Sequence, residues 1–162
     1  MNNDNSIYFD LKDHILSYDP EKSILLCKDK KTLNKKWIKK ADESIYIVSI
    51  IEDKNIFYVS CESDEITGYL LALDKSDGSN LWEIQGKSCF QVIFNNFLYS
   101  VFIDDKQKYF SLKINPENGT TAWFRETTSE LSEYSFTKKR ILLTYLTGKT
   151  ERISPETGEN LN

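Results

Sequence analysis

The segment ALDKSDGSNLW, residues 72–82, decides the fold. It joins the apolar end of a strand to a turn that closes on Gly78, and Trp82 follows four residues later. Counted from Asp74 as position zero, Gly78 stands at +4 and Trp82 at +8. An Asp-Gly turn between apolar runs predicts a β-hairpin, because glycine adopts a positive φ at little cost and aspartate accepts hydrogen bonds from nearby backbone N–H groups.

The same spacing occurs in four places along the chain. Leu33 takes the +4 position in the first copy, and Asn162 stands where the last tryptophan would fall. The +8 positions are separated by 45, 41 and 39 residues, which is the size of a four-stranded antiparallel blade. The sequence therefore predicts one domain, 1–162, made of four units: 1–42, 43–87, 88–128 and 129–162.

Each unit divides into short segments rich in aromatic and β-branched residues, which are typical of strands. Segments such as GYLLAL, residues 68–73, are apolar at successive positions, so we expect both of their faces to be covered. Because leucine does not favour a positive φ, we expect a less regular turn at Leu33. The predicted strands are 6–11, 14–18, 23–28, 35–39, 44–51, 55–61, 68–73, 80–85, 88–94, 97–103, 108–114, 120–126, 131–137, 140–146 and 149–153, with a short stub ending at 162.

The pattern Ala-x-Asp-x-x-Asp-Gly-x-x-x-Trp at 72–82, with its asparagine form at 113–123, resembles the tryptophan-docking repeat of pyrroloquinoline-quinone-type β-propellers. The resemblance implies an all-β fold, a small propeller of four four-stranded antiparallel blades whose tryptophans lock neighbouring blades. Family propellers usually have seven or eight blades. Four units imply either a closed ring, which we favour because closure removes exposed edges, or an open arc. The structural repeat positions are Trp37, Asp74, Gly78, Trp82, Gly119, Trp123 and Gly158.

Quinone enzymes of this family hold their cofactor over a vicinal cysteine pair, beside a divalent cation. The three cysteines here, Cys27, Cys61 and Cys89, are far apart in sequence, so we expect no cofactor. Each lies in an apolar run, and we expect all three to be small buried side chains. DKSDG, residues 74–78, has the look of a calcium loop but lacks the later glutamate ligand, so we interpret it as a turn and expect no metal.

The net charge of −4 is unevenly distributed, at +3 over residues 1–40 and −7 over 41–162. The basic run 28–41 alternates lysines around Trp37, which suits either a nucleic-acid surface or an edge strand guarded by lysines. We favour the edge strand, because the acidic remainder argues against nucleic acid and suits a basic protein partner. The amino-terminal segment lacks the features of an export signal and no apolar run approaches a membrane span, so we expect a cytoplasmic protein that does not bind membranes.

The sequence offers no enzyme signature. His14 is the one histidine, without a recognisable partner, and phosphate-binding glycine loops and metal-ligand spacings do not occur. The acidic linkers 62–68 and 103–108 are predicted to gather at one rim with the connections 40–44 and 126–130. Candidate protein-binding residues are Glu62, Asp64, Glu65, Asp104, Asp105, Glu126 and Glu130.

We therefore predict a non-catalytic protein-binding module, and more specifically an immunity-type inhibitor that neutralises a basic toxin or nuclease. Two alternatives stay open. One is a hydrolase or lyase that uses loop carboxylates at the mouth of the propeller. The other is a carbohydrate or small-ligand binder with exposed aromatic rings.

Overall fold

The computed structural model describes residues 5–42, 45–127 and 130–162. Over these ranges the regular structure consists of fifteen β-strands arranged in four antiparallel sheets, each with two open edges. The described ranges contain no helix that is long and apolar enough to cross a membrane. The predicted all-β, blade-like organisation is confirmed.

The chain falls into two compact units, and the first is Met1–Gln85. It contains two sheets, each a simple meander in which consecutive strands pair. The strands of the first sheet are β1 (Ile7–Asp10), β2 (His14–Asp19), β3 (Ile24–Asp29) and β4 (Lys35–Lys40). Those of the second are β5 (Tyr46–Asp53), β6 (Ile56–Glu62), β7 (Gly68–Asp74) and β8 (Asn80–Gln85).

The second compact unit is Gly86–Asn162. The strands of its first sheet are β9 (Lys87–Phe94), β10 (Phe97–Ile103), β11 (Tyr109–Ile114) and β12 (Thr121–Glu126). Its last sheet contains β13 (Leu131–Phe136), β14 (Ile141–Tyr145) and β15 (Thr150–Ile153). The single closed domain expected from the sequence stays a prediction.

The last sheet has three strands in its described part, where four were predicted. An isolated bridge between Ile153 and Asn160, with a bond from the Leu161 N–H to the Arg152 carbonyl of 2.8 Å, takes the place of the fourth strand. Residues 159–162 read ENLN and lack the β-branched and aromatic residues that favour a longer strand.

The central strands are covered on both faces, as the doubly apolar pattern predicts. Residues 57–61 of β6 are all buried, and so are 70–73 of β7. Cys27 and Cys61 are buried free thiols, but Cys89 is exposed, contrary to expectation. In the pairing of β9 with β10, Ser88 and Phe90 face adjacent residues, which leaves Cys89 as the extra residue of a β-bulge. A bulge redirects its side chain, and here it turns the thiol outward.

The four repeat turns share one geometry. The N–H at +4 donates to the carbonyl at position zero over 2.9, 2.8, 2.9 and 2.8 Å in chain order. Leu33 takes the same left-handed conformation as the glycines, with φ 60° beside 76° at Gly78, so the expected irregular turn is wrong. The Asp29 carboxylate accepts bonds from the Lys31 N–H and from Thr32, and these hold the leucine in place.

Candidate functional site

A tryptophan joins the two sheets of the first unit. The Trp37 indole N–H donates to the Lys75 carbonyl over 2.9 Å, and the side chain is 7% exposed. Its ring lies so close to Gly78 that a Cβ built there would come within 2.7 Å of Cε3. Gly78 therefore provides both the positive φ of the turn and the surface that receives the indole.

The second unit repeats this joint. The Trp123 indole N–H donates to the Pro155 carbonyl over 3.1 Å, and a Cβ on Gly158 would come within 2.6 Å of the ring. The bonded carbonyl stands at +1 and the contacted glycine at +4, as in the first unit. The sequence pattern explains the glycine only by the geometry of its turn. The second role of the glycine, as the surface against which the indole packs, is visible only in the structure.

The other repeat positions have contacts or turn geometry within their own sheets. Trp82 packs against Tyr58, with ring centroids 5.9 Å apart. Gly119 provides a positive φ of 73°. The Asp74 carboxylate accepts bonds from the N–H and the hydroxyl of Ser76, at 2.7 and 2.6 Å. These bonds are those of a turn. Among the described residues, no group of three or more His, Cys, Asp or Glu side chains is placed to hold a metal ion.

The β6–β7 loop of the first unit contains three of the predicted binding residues. Asp64 lies at its centre, and its carboxylate accepts bonds from the N–H of Ile66 and Thr67 and from the Thr67 hydroxyl, at 2.6 to 2.7 Å. Glu65 is exposed, and Ile66 is 48% exposed. Glu62 is the last residue of β6 and is half-buried. Asp64 thus shapes the loop, while its neighbours face solvent.

The β10–β11 loop of the second unit has a similar arrangement. One Asp104 oxygen accepts bonds from the N–H groups of Lys106 and Lys108, at 2.9 and 2.8 Å, and Asp105 is exposed. Glu126 ends β12 and pairs with the Lys108 ammonium at 3.3 Å. Glu130 is exposed just before β13. In each loop, therefore, one aspartate holds the backbone in place and the acidic residue that follows it is exposed.

The predicted rim mixes residues of both compact units, and its existence as one surface stays a prediction. Glu62, Asp64 and Glu65 belong to the first unit, and the other four acids belong to the second. Of the connections predicted to join them, 43–44 and 128–129 lie outside the described residues.

The structure reveals a charged cluster in the first unit that sequence reasoning missed. Glu52, near the end of β5, accepts bonds from His14 Nδ1 at 2.7 Å and Lys75 Nζ at 2.5 Å. The side chains of Glu52, His14 and Lys75 are 4%, 8% and 14% exposed. A bond from the Asp13 N–H occupies the second Glu52 oxygen at 3.2 Å. His14 therefore has a buried carboxylate partner 38 residues away in sequence.

The electrostatics of this cluster favour an ionised glutamate. Burial acts to raise the pKa of Glu52, but hydrogen bonds from Lys75 and His14 outweigh it, so the pKa lies below its usual value. Phe57 closes the apolar side, with its ring edge-on to the imidazole at 5.2 Å and the Lys75 ammonium 5.5 Å from its centroid. The cluster holds the Lys75 ammonium and the His14 imidazole in fixed positions.

A cavity of about 500 Å³ opens beside this cluster. Both His14 and Lys75 reach its wall, so the buried cluster is continuous with a solvent-accessible space. The sequence signal for it is weak. Glu52 is the penultimate residue of β5, and it meets His14 and Lys75 only because the two sheets of the first unit pack together. The lining residues are His14, Lys36, Lys54, Asn55, Asp74, Lys75 and Ser76.

No protein-family model matches the chain, and no curated protein matches it. Solved structures do. The computationally designed Ika8 protein is 14% identical with a TM-score of 0.70, over 96% of this chain and 47% of that one. The designed Ika4 protein is 12% identical with a TM-score of 0.65, over 95% and 94%. The chain thus spans about half of the Ika8 chain.

A third similar structure is the quinohemoprotein alcohol dehydrogenase from Comamonas testosteroni. It is 11% identical, with a TM-score of 0.67, over 96% of this chain and 34% of that enzyme. Identities this low show the fold alone. The chain therefore has a propeller-like fold, similar to that of a pyrroloquinoline-quinone enzyme.

Proposed function

We propose that the chain is a non-catalytic cytosolic protein-binding module, and more specifically an immunity-type inhibitor that caps a basic toxin or nuclease. The observation that carries this proposal is the β6–β7 loop, where exposed Glu65 and Ile66 sit on a backbone locked by Asp64. We also propose that its repeats belong to the tryptophan-docking family in a four-repeat form. The matching joints at Trp37 and Trp123 support that assignment.

The locked loop suits a protein partner for an entropic reason. Ordering a loop on binding costs free energy, and a loop already held by three bonds to Asp64 avoids much of that cost. Ile66 offers an apolar contact beside the Glu65 charge. An apolar anchor with charges at its border is the usual anatomy of a protein interface.

The β10–β11 loop supports the same partner chemistry. Asp104 holds its backbone and Asp105 is exposed, so a second acidic tip is presented in a fixed conformation. Carboxylates at such tips steer a basic partner and raise its association rate. Glu126 contributes less to this field, because Lys108 already lies 3.3 Å from it.

The same hydrogen bonds argue against the hydrolase alternative. A general acid or base must exchange a proton with a substrate from a free carboxylate oxygen. Asp64 uses both carboxylate oxygens, and Asp104 uses one, to accept hydrogen bonds from their own loops. They are better placed to shape the loops than to transfer protons.

Site-specific photocrosslinking in the source cell tests the proposal. A benzophenone side chain replaces Ile66, and a matched probe replaces Leu33, which is 62% exposed in the same compact unit. We expect one basic protein to crosslink at position 66 and not at 33. Equal capture at both positions, or no capture at 66, would contradict the proposed interface.

Charge reversal then tests the electrostatics with the captured partner. We expect Glu65→Lys with Asp105→Lys to weaken binding by about tenfold or more and to flatten its salt dependence. The control pair Glu117→Lys with Glu159→Lys makes the same charge change at exposed sites outside the two loops. An equal loss of affinity in both pairs would show that the two loops do not contact the partner. Failure of the wild-type chain to restore growth to cells expressing the partner would refute the inhibitor role.

A further inference from the structure

Basic side chains predominate in the lining of the cavity beside Glu52. Three lysines and the one histidine line it, together with the Asp74 carboxylate, and the buried Glu52 carboxylate pairs with Lys75 and His14. Lys36 and Lys54 are the lining lysines that do not contact Glu52 in this cluster. A volume of about 500 Å³ is within the range of small-molecule sites. The cavity lies entirely within the first compact unit.

Two of the basic groups are held in place before any ligand arrives. Lys75 and His14 are both bonded to the same buried Glu52 oxygen, at 2.5 and 2.7 Å. Their side chains are 14% and 8% exposed. Side chains that are already ordered lose little conformational entropy when a ligand binds, and such preorganisation is typical of binding sites.

The charged cluster is not a requirement of the repeat. Strand pairing makes His14 equivalent to Phe97, because the next residues, Ile15 and Leu98, pair with Lys28 and Ile114, which both stand at −1 of the motif. By the same pairing Glu52 corresponds to Phe136, because their partners Phe57 and Ile141 match.

At these positions the second unit has an aromatic cluster. Phe136 packs against Tyr99 and Phe94, with ring centroids 4.8 and 5.0 Å apart. Lys75 in turn corresponds to Pro155, since both stand at +1 of the motif. Two jointed sheets thus form with apolar residues alone at these three places. Burying the charged groups of Glu52 and Lys75 carries a desolvation cost that the packing of the two sheets does not require. A role in ligand binding would account for that cost.

Lys54 adds a second sign of a functional constraint. It occupies the β5–β6 turn with φ 38°, a conformation that disfavours most side chains other than glycine, asparagine and aspartate. The corresponding β9–β10 turn uses Asn95, with φ 48°. The lysine therefore takes a strained backbone position, and its side chain lines the cavity.

We propose that this cavity binds the phosphate group of a small phosphorylated molecule. Lysine ammonium groups act as compact point charges suited to a phosphate, whereas flat bidentate recognition of a carboxylate is the strength of arginine, which does not line the cavity. Lys36 and Lys54 supply the outer charges, and Lys75 with His14 forms the inner wall. The remaining volume admits the organic part of the ligand.

Proton NMR of the intact chain tests this proposal, because the chain has one histidine and so gives one set of imidazole signals. Phenyl phosphate, inorganic phosphate and benzoate are titrated separately at constant pH and ionic strength. We expect the His14 signals to shift saturably with the two phosphates, and phenyl phosphate to bind at least about tenfold tighter than benzoate. The absence of a saturable shift with phenyl phosphate would overturn the proposal, and so would equal binding of benzoate.

Lysine variants separate the site from general charge. We expect Lys36→Gln with Lys54→Gln to weaken phenyl phosphate binding by about tenfold or more. The control Lys31→Gln with Lys35→Gln removes the same charge from exposed positions of the same unit that do not line the cavity. All four changes are at exposed residues, so both variants should fold. Equal weakening in the two variants would show non-specific attraction and refute a built site.

Discussion

Replacing Gly158 by alanine tests whether the indole of Trp123 fixes the choice of glycine in the turn. The new Cβ would lie 2.6 Å from Cε3 and 2.7 Å from Cδ2 of the ring, inside any real contact distance. The backbone also has φ 72°, which alanine disfavours. The ring must move, and its bond to the Pro155 carbonyl lengthens or breaks.

Gly148 separates the two costs. It lies in the same compact unit with φ 83°, and a Cβ there would meet no atom within 4 Å. Gly148→Ala should therefore cost only the left-handed backbone strain, about 1 kcal/mol. Gly158→Ala adds overpacking of about 1–3 kcal/mol and a hydrogen bond of about 1 kcal/mol. The expected difference between the two variants is about 2–4 kcal/mol.

Urea unfolding gives both free energies, and near-ultraviolet circular dichroism reports the environment of the indole. We expect Gly158→Ala to lose far more stability than Gly148→Ala and to change the aromatic spectrum. Equal losses with unchanged spectra would refute the reasoning, since the cost would then come from φ alone. Gly78→Ala should behave like Gly158→Ala, because Trp37 lies 2.7 Å from its added Cβ.

Three further outcomes follow from the structure. Leu33→Gly should raise the free energy of unfolding by about 0.5–1 kcal/mol in urea titrations, because it relieves a φ of 60° and the leucine is 62% exposed. Glu52 has a pKa below its usual 4.5, so its contribution to stability is present above pH 4.5 and is lost as the pH falls through the pKa of the folded state. Glu52→Gln should therefore reduce the dependence of the melting temperature on pH between neutral and acidic conditions, measured by thermal unfolding. Cys89 is the exposed thiol among the three cysteines, so a maleimide should label the folded chain once, and mass spectrometry should locate the label there.

Local chemistry was enough to predict most of the strands and turns. Aromatic and β-branched runs end at Asp-Gly or Asn-Gly tips, and such tips dictate a turn whatever the rest of the chain does. The exposure of Cys89 was missed because it depends on register. Cys89 faces outward because of a bulge opposite Val101 and Phe102, and no local pattern shows where a bulge falls.

The candidate site was less predictable than the fold. Glu52 meets His14 only because two sheets pack together, and neither residue has a partner within its own segment. In contrast, the acidic loops were visible as charged linkers. What the sequence could not show is which acids bend back onto the backbone, as Asp64 and Asp104 do.

The tryptophan joint is directional, and this limits where an additional blade can be inserted into such a chain. The preceding sheet supplies the indole, and the following sheet supplies the carbonyl and the bare glycine. A duplicated blade can therefore be spliced in only where its own turn offers room to the incoming ring. The second, third and fourth blades have glycine at that place, as Gly78, Gly119 and Gly158. The first carries Leu33 at that place, so a copy inserted behind another blade would obstruct the joint until Leu33 became glycine.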